Sequence, residues 1–283
     1  MASPIIDIHP HIGSNDTVRY PITPIGGKRS DWSHERAMEA DEMIAEMKKA
    51  GVAKSAMVHS STTYGFNCEY VADTVAAHPD YFTGVFSVNV LEPDGPKMMR
   101  HWFSRGCTGM RIFSRGSTMA EPWLKLDDER IFPCYETAAE LNIPVATNAK
   151  VESFGEIEAM LKRYPKVNFI IEHGGKTDFN PANDYAAAAP LWKLASYPNF
   201  YMKITPMVYT TKRSLEETRA LFTKLFAVLG PQRLAWGSNF PASEGTLTEI
   251  LNGMKNAVAH LPQSDQDWIL GKTALSLYPV LAK

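Results

Sequence analysis

Cysteine is scarce in this sequence: Cys68, Cys107 and Cys134 are the three in 283 residues, and they form no CxxC pair. That excludes a thiolate metal cage and a disulfide scaffold, and leaves three packed thiols. Charge of one sign is lacking too, with 29 Lys and Arg against 31 Asp and Glu, a net of −2 with neutral histidines. A protein that holds nucleic acid by its electrostatic field is therefore not expected. No uncharged apolar stretch approaches the roughly 18 to 20 residues needed to cross a membrane. The opening MASPIIDIHPHIG has neither the basic nor the long apolar stretch of a secretory leader, so a cytoplasmic protein without a membrane partner is expected. A chain of this length hides roughly 70% of its extended surface on folding, so stability does not call for a cofactor.

What the sequence has is alternation. Eight short apolar, β-branched runs start at Pro4, Lys54, Phe82, Cys107, Ile143, Val167, Asn199 and Arg233, about 24 to 50 residues apart. Helical patterns fill the intervals. In DEMIAEMKKAG, Met43, Ile44 and Met47 share a face and Gly51 supplies a left-handed cap. Similar patterns cover 69–78, 96–105, 130–141, 152–164, 184–196, 215–229 and 247–260, and a last helix is expected over 266–281. Strands alternating with helices predict an α/β protein with parallel strands, a (β/α)8 TIM barrel in one domain spanning 1–283. A doubly wound open sheet is the rival, but the position where it often carries a glycine-rich phosphate turn holds DIHPHIG. Two irregular stretches, 13–33 and 115–126, follow strand ends, where a barrel builds its active-site loops.

Chemistry concentrates at the same ends. Residues two apart on a strand share a face, so Asp7, His9 and His11 are expected to point together into the barrel. His173 ends the sixth run in IIEHGG, where glycines let backbone approach a ligand. His59 ends the second run, and Ser60, Ser61 and Tyr64 just beyond it offer hydroxyls and a phenol, or simply form a polar loop. Arg111 in the fourth run and Lys203 in the seventh are cations on barrel strands, and buried cations need anions. A bound carboxylate is one such anion; an internal pair with Asp7, Glu172 or Glu244 is the alternative, and Arg115 is either a second anchor or a solvated loop residue. His34, His78, His101 and His260 read as surface residues.

Three motifs spread over nearly the whole chain resemble the amidohydrolase superfamily, in its branch of lactone hydrolases and nonoxidative decarboxylases. DIHPH at 7–11 resembles the strand-one HxH motif, IEHGG at 171–175 the strand-six histidine with its glycine turn, and RLAWGSNFP at 233–241 the strand-eight motif. The resemblance implies a metal site with a histidine after strand five and an aspartate in the strand-eight motif. This chain departs at both: the fifth run offers Thr147 and Asn148, the eighth places Asn239 where aspartate is expected, and strand four has Arg111 rather than a lysine to be carboxylated. Neither amide ionises, so a charged ligand and a general base are lost together. His9 and His11 are two ligands where zinc wants at least three from the protein, and a third would have to come from His173 or Glu244. No cofactor is favoured; the alternative is a zinc or manganese ion on His9 and His11.

The resemblance then implies a metal-independent hydrolase acting on a lactone or similar cyclic ester that carries a carboxylate. Arg111, with Arg115 or Lys203, is expected to hold the carboxylate, His9 and His11 to polarise the carbonyl, His173 to act as general base, and Asn239 and Asn148 to orient water. Two alternatives stay open: a nonoxidative decarboxylase of an aromatic or unsaturated acid using a divalent metal, and a noncatalytic carboxylate-binding barrel. The partner expected is a small carboxylate, and self-association is common among barrels of this kind.

Overall fold

A computed structural model describes residues 3–119, 121–210 and 213–283. Eight parallel strands stand in sequential order: β1 Ile6–Asp7, β2 Lys54–Val58, β3 Phe82–Phe86, β4 Gly109–Ile112, β5 Val145–Thr147, β6 Phe169–Ile171, β7 Phe200–Ile204 and β8 Leu234–Trp236. With no reversal of strand order the open doubly wound sheet is ruled out, and the sheet curls into a nearly closed (β/α)8 barrel. The seam between β8 and β1 is bridged where the Ile8 N–H donates to the Trp236 carbonyl at 3.2 Å.

Two apolar layers hold the barrel. Inside it, alternate strand residues such as Ile6, Ile8, Val58, Ala146 and Ile170 meet, and Leu277, Tyr278 and Leu281 of the C-terminal segment pack onto them. Outside, the larger layer lies between strands and helices. Met43, Ile44 and Met47 are buried on the helix Ala40–Ala50, which ends at Gly51 with φ 80° as its sequence predicts. Leu215–Leu229 matches its expected bounds, with a capping box between Ser214 and Glu217. The expected helix over 184–196 is regular only in Ala189–Leu194. The last helix is broken into Gln263–Asp267, a π turn at Trp268–Lys272 and Thr273–Leu277. All three cysteines are buried free thiols.

Strand β1 is shorter than its sequence pattern, and this alters the histidine geometry. Ile6 and Ile8 pack inside the barrel, so the face expected to carry Asp7, His9 and His11 inward is not the inward face of β1. The chain leaves the strand after Asp7, whose Oδ1 accepts from the His9 N–H at 2.9 Å and the Ser238 N–H at 2.8 Å. This turn, rather than strand alternation, carries the His9 ring to its place. No helix among the described residues is long and apolar enough to cross a membrane.

Candidate active site

The site is organised around Glu172, the first residue after β6, which is fully buried. Neighbouring β7 supplies Lys203, whose Nζ donates to Glu172 Oε1 at 3.2 Å and to His9 Nδ1 at 2.8 Å. From β4, two strands away, Arg111 donates to Glu172 Oε2 through Nε at 2.9 Å and Nη2 at 2.7 Å. The β5 residue paired with Arg111 is Ala146, which pairs in turn with Ile170, two residues before Glu172, so the guanidinium crosses β5 above a lone methyl. Burial pushes the Glu172 carboxyl up, but Arg111 and then Lys203 outweigh it and hold the group at about 2. Burial likewise holds the Lys203 ammonium below the ordinary lysine value, with Glu172 working in the opposite direction.

Three imidazoles gather above this network. The His9 ring lies 4.9 Å, centroid to centroid, from both His11 and His173. The base of His9 packs on Gly237, the first residue after β8: a Cβ at Gly237 would lie 2.6 Å from that of His9. The glycine of the WGSN segment is thus required by close approach. His11 sets its Nδ1 2.8 Å from the Val58 carbonyl oxygen. A carbonyl only accepts, so Nδ1 bears the proton and Nε2 carries the free lone pair. Its other face stacks on Trp32 at 5.2 Å.

His173 sits in a left-handed run, with φ of 54° at His173, 61° and 64° at Gly174 and Gly175, and 48° at Lys176. The glycines adopt this freely, whereas each non-glycine residue costs roughly 1 to 2 kcal/mol, strain of the kind that collects at functional sites. Its Nδ1 lies 2.8 Å from Thr205 Oγ1. Burial, with Arg111 contributing, lowers both His11 and His173 to about 3, and burial followed by Lys203 pushes His9 well below its usual value. All three rings are therefore neutral at pH 7.

A cavity of about 220 Å³ opens over these rings. His11, His173, Arg111, Asn148 and Asn239 reach it, together with Lys176, Thr62 and an apolar wall of Trp32, Phe113 and Met207. Both irregular stretches contribute, Trp32 from the first and Gly116 and Ser117 from the second. Asn148 donates Nδ2 to the Arg115 carbonyl at 3.1 Å, while its Oδ1 is buried without a partner. Asn239 donates Nδ2 to Ser243 Oγ at 3.0 Å.

Other residues singled out in the sequence lie outside the lining. His9 and Lys203 are wholly buried beneath it, so Lys203 meets an internal anion, not a ligand's carboxylate. Arg115 pairs with Glu152 at 2.5 Å. The Ser60 hydroxyl lies 2.8 Å from Thr63 Oγ1, Ser61 donates to Ser87 Oγ at 3.2 Å, and the Tyr64 phenol accepts the Ser14 N–H at 2.7 Å. His59 is held at about 4 by burial, its Nε2 2.8 Å from the Gly65 carbonyl. Glu244 lines a separate surface cleft. Lys176 and Trp32 escaped the sequence reading, although Lys176 directly follows the EHGG turn and Trp32 closes the first irregular stretch.

Among the described residues one group of three metal-capable side chains has its ligand atoms within 4.8 Å of one another: His9, Glu172 and His173. It differs from the His9 and His11 pair expected from sequence. The group does not fit a resident divalent ion as it stands. Lys203 takes Glu172 Oε1 and His9 Nδ1, and Arg111 takes Glu172 Oε2. Thr147, standing where the family's histidine is expected, donates its hydroxyl to the Ile112 carbonyl at 3.3 Å.

Residues 6–280 match the amidohydrolase family. The chain belongs to that family. This amidohydrolase is an enzyme of the corresponding superfamily, and its fold recurs in solved structures. A protein from Pseudomonas putida described as a 2-pyrone-4,6-dicarboxylic acid hydrolase aligns over 99% of both chains with a TM-score of 0.79 and 19% identity. An amidohydrolase from Burkholderia multivorans with bound zinc aligns over 98% of this chain and 99% of its own, TM-score 0.76, 17% identity. The 2,6-dihydroxybenzoate decarboxylase of Rhizobium covers the same shares with a TM-score of 0.70 and 13% identity. At these identities the likeness is one of fold. No curated protein matches the amidohydrolase by sequence.

Proposed function

We propose that this amidohydrolase hydrolyses a lactone or similar cyclic ester bearing a carboxylate, and does so without a resident metal. The observation that carries the reading is the cavity itself, where a neutral imidazole with a free lone pair, His11, shares one wall system with two cations, Arg111 and Lys176. The dicarboxylic pyrone in the description of the Pseudomonas putida relative is a substrate of this chemical class.

Arg111 spends Nε and Nη2 on Glu172, and its Nη1 has no partner among the described residues. That N–H and the Lys176 ammonium at the rim suit a carboxylate. Water is placed against His11 Nε2, which takes one of its protons, with the Asn148 amide oxygen accepting a hydrogen bond from its other O–H. Its oxygen bonds to the ester carbonyl carbon, the ring C–O bond breaks, and the proton passed to His11 returns to the departing ring oxygen. One lactone and one water give one hydroxy acid. This reassigns the imidazoles: His11 acts as acceptor rather than polarising donor, and His173, tied to Thr205 and held at about 3, supports the floor.

The test is a panel of lactones with and without a carboxylate, assayed by pH-stat in the presence of chelator. Hydrolysis confined to carboxylated members and lost in His11→Ala supports the reading. Silence on lactones, with metal-dependent release of carbon dioxide from aromatic acids, overturns it in favour of decarboxylation.

A further inference from the structure

The position of Lys203 raises a question that ester hydrolysis does not answer. A wholly buried lysine lies beneath the cavity with no access to substrate, in hydrogen-bonding contact with two members of the three-residue cluster that, among the described residues, could hold an ion. The alternative for a buried cation, a private salt bridge, accounts for its 3.2 Å bond to Glu172 but not for its shorter 2.8 Å bond to His9. Glu172 is already neutralised by two bonds from Arg111. Asp7, the other buried carboxylate whose field reaches Lys203, makes no hydrogen bond to it and gives its Oδ1 to the His9 and Ser238 N–H groups, so charge balance alone does not set the ammonium against the His9 ring.

The imidazole explains it. An ammonium has donors and no acceptor, so His9 Nδ1 must offer its lone pair to Lys203, and the neutral ring carries its proton on Nε2. That Nε2 is buried and has no hydrogen-bond partner. The ring lies 4.9 Å from His11 and His173, both of which line the cavity. An unpartnered buried donor next to a reaction cavity is a group waiting for an oxygen. The same tautomer leaves His9 with no lone pair for a metal, while the ammonium lies against Glu172 Oε1, where an ion would sit.

We propose that the Lys203 ammonium is a built-in replacement for a divalent metal ion, filling the His9, Glu172 and His173 cluster and fixing His9 as an Nε2–H donor. Lys203 is a positioning residue, acting through His9. Removing its cation unmasks a metal site: His9 regains a free Nδ1, Glu172 regains Oε1, and a divalent ion binds them with His173. The inference rests on the metal-free part of the proposed function, but its test uses no substrate, so failure to find a lactone leaves it standing.

The experiment is titration with cobalt(II), read by its visible absorption and by equilibrium dialysis, on the native chain, on Lys203→Met and on Lys203→Met combined with His173→Ala. Native protein is expected to bind less than roughly a tenth of an equivalent at this cluster. Lys203→Met is expected to take up about one equivalent, and the double variant to lose it. Nitrogen-15 NMR of histidine-labelled native protein, with His9 assigned by its substitution, reports the tautomer directly; the proton belongs on Nε2. One equivalent of cobalt on the native chain that His173→Ala abolishes, a folded Lys203→Met that binds none, or a His9 proton on Nδ1 would each overturn the proposal. Should Lys203→Met fail to fold, the native titration and the NMR spectrum decide between the same two outcomes.

Discussion

Arg111 reaches Glu172 across an entire intervening strand, and both of its bonds, at 2.9 and 2.7 Å, fall on the same carboxylate oxygen. The other oxygen is left for Lys203, so one buried anion holds two cations from either side. Breaking such a group by removing one member costs about 3 to 5 kcal/mol, because the remaining charges stay buried and unpaired. Glu172→Gln is expected to lose at least that much in urea unfolding, since it strands two cations, and Arg111→Met somewhat less, since Lys203 still faces Glu172. Equal and negligible losses in both would mean that the group is not formed.

Lys176 is a cation of the cavity lining that forms no ion pair among the described residues. In Lys176→Met, loss of one charge-assisted contact worth about 1.5 to 3 kcal/mol raises KM for a carboxylated lactone roughly tenfold to a hundredfold. Turnover at saturation changes little, and a neutral lactone is unaffected. A fall in kcat with unchanged KM would move Lys176 from binding to chemistry.

Gly237 is predicted to be intolerant of even one methyl group. With a Cβ 2.6 Å from that of His9, either β8 or His9 must shift, at about 1 to 3 kcal/mol for overpacking. Gly237→Ala should therefore lose both melting temperature and activity, whereas Gly155→Ala, where an added Cβ meets nothing within 4 Å, should lose neither.

Stability should fall with pH in a window set by buried histidines. His11 and His173 titrate at about 3 and His59 at about 4 when folded, all depressed by burial, and at about 6.5 when unfolded. Below that value the unfolded chain gains protons that the folded one refuses, so stability present above 6.5 is lost as pH falls toward 3. Each group contributes about 1.4 kcal/mol per unit across its window. Urea midpoints at pH 7.5, 6.5 and 5.5 should step downward, and a flat profile would mean that the rings are solvated. The same depression predicts that kcat/KM has no acid limb near 6.5.

The barrel was legible in the sequence because its physics is periodic: apolar runs two-sidedly buried, helices with one apolar face, and Gly51 where the first long helix stops. His11, His173, Asn148 and Asn239 were legible as candidates because each follows a strand, and Arg111 because it is a cation within one; the structure brings all five to one cavity. The pair of Lys203 with Glu172 was one of three internal pairs the sequence left open, and strand neighbourhood selects it; the second acceptor, His9, was not legible, because it comes from a distant strand and only the fold brings it to Lys203. Strand alternation misplaced Asp7, since a side chain that bonds the next-but-one N–H turns the chain out of the strand. Ser60, Ser61 and Tyr64 look available in sequence and are not, their hydroxyls being used within the fold. Lys176 and Trp32 had no signal beyond their neighbourhood, one turn past EHGG and at the end of an irregular stretch.

The most direct test of the central claim is turnover of a carboxylated lactone by protein stripped of metal with chelator and verified by elemental analysis. Full activity without metal, unaltered by adding zinc or manganese and lost in His11→Ala, is the predicted result. Activity that disappears with the metal and returns on adding zinc or manganese would contradict it.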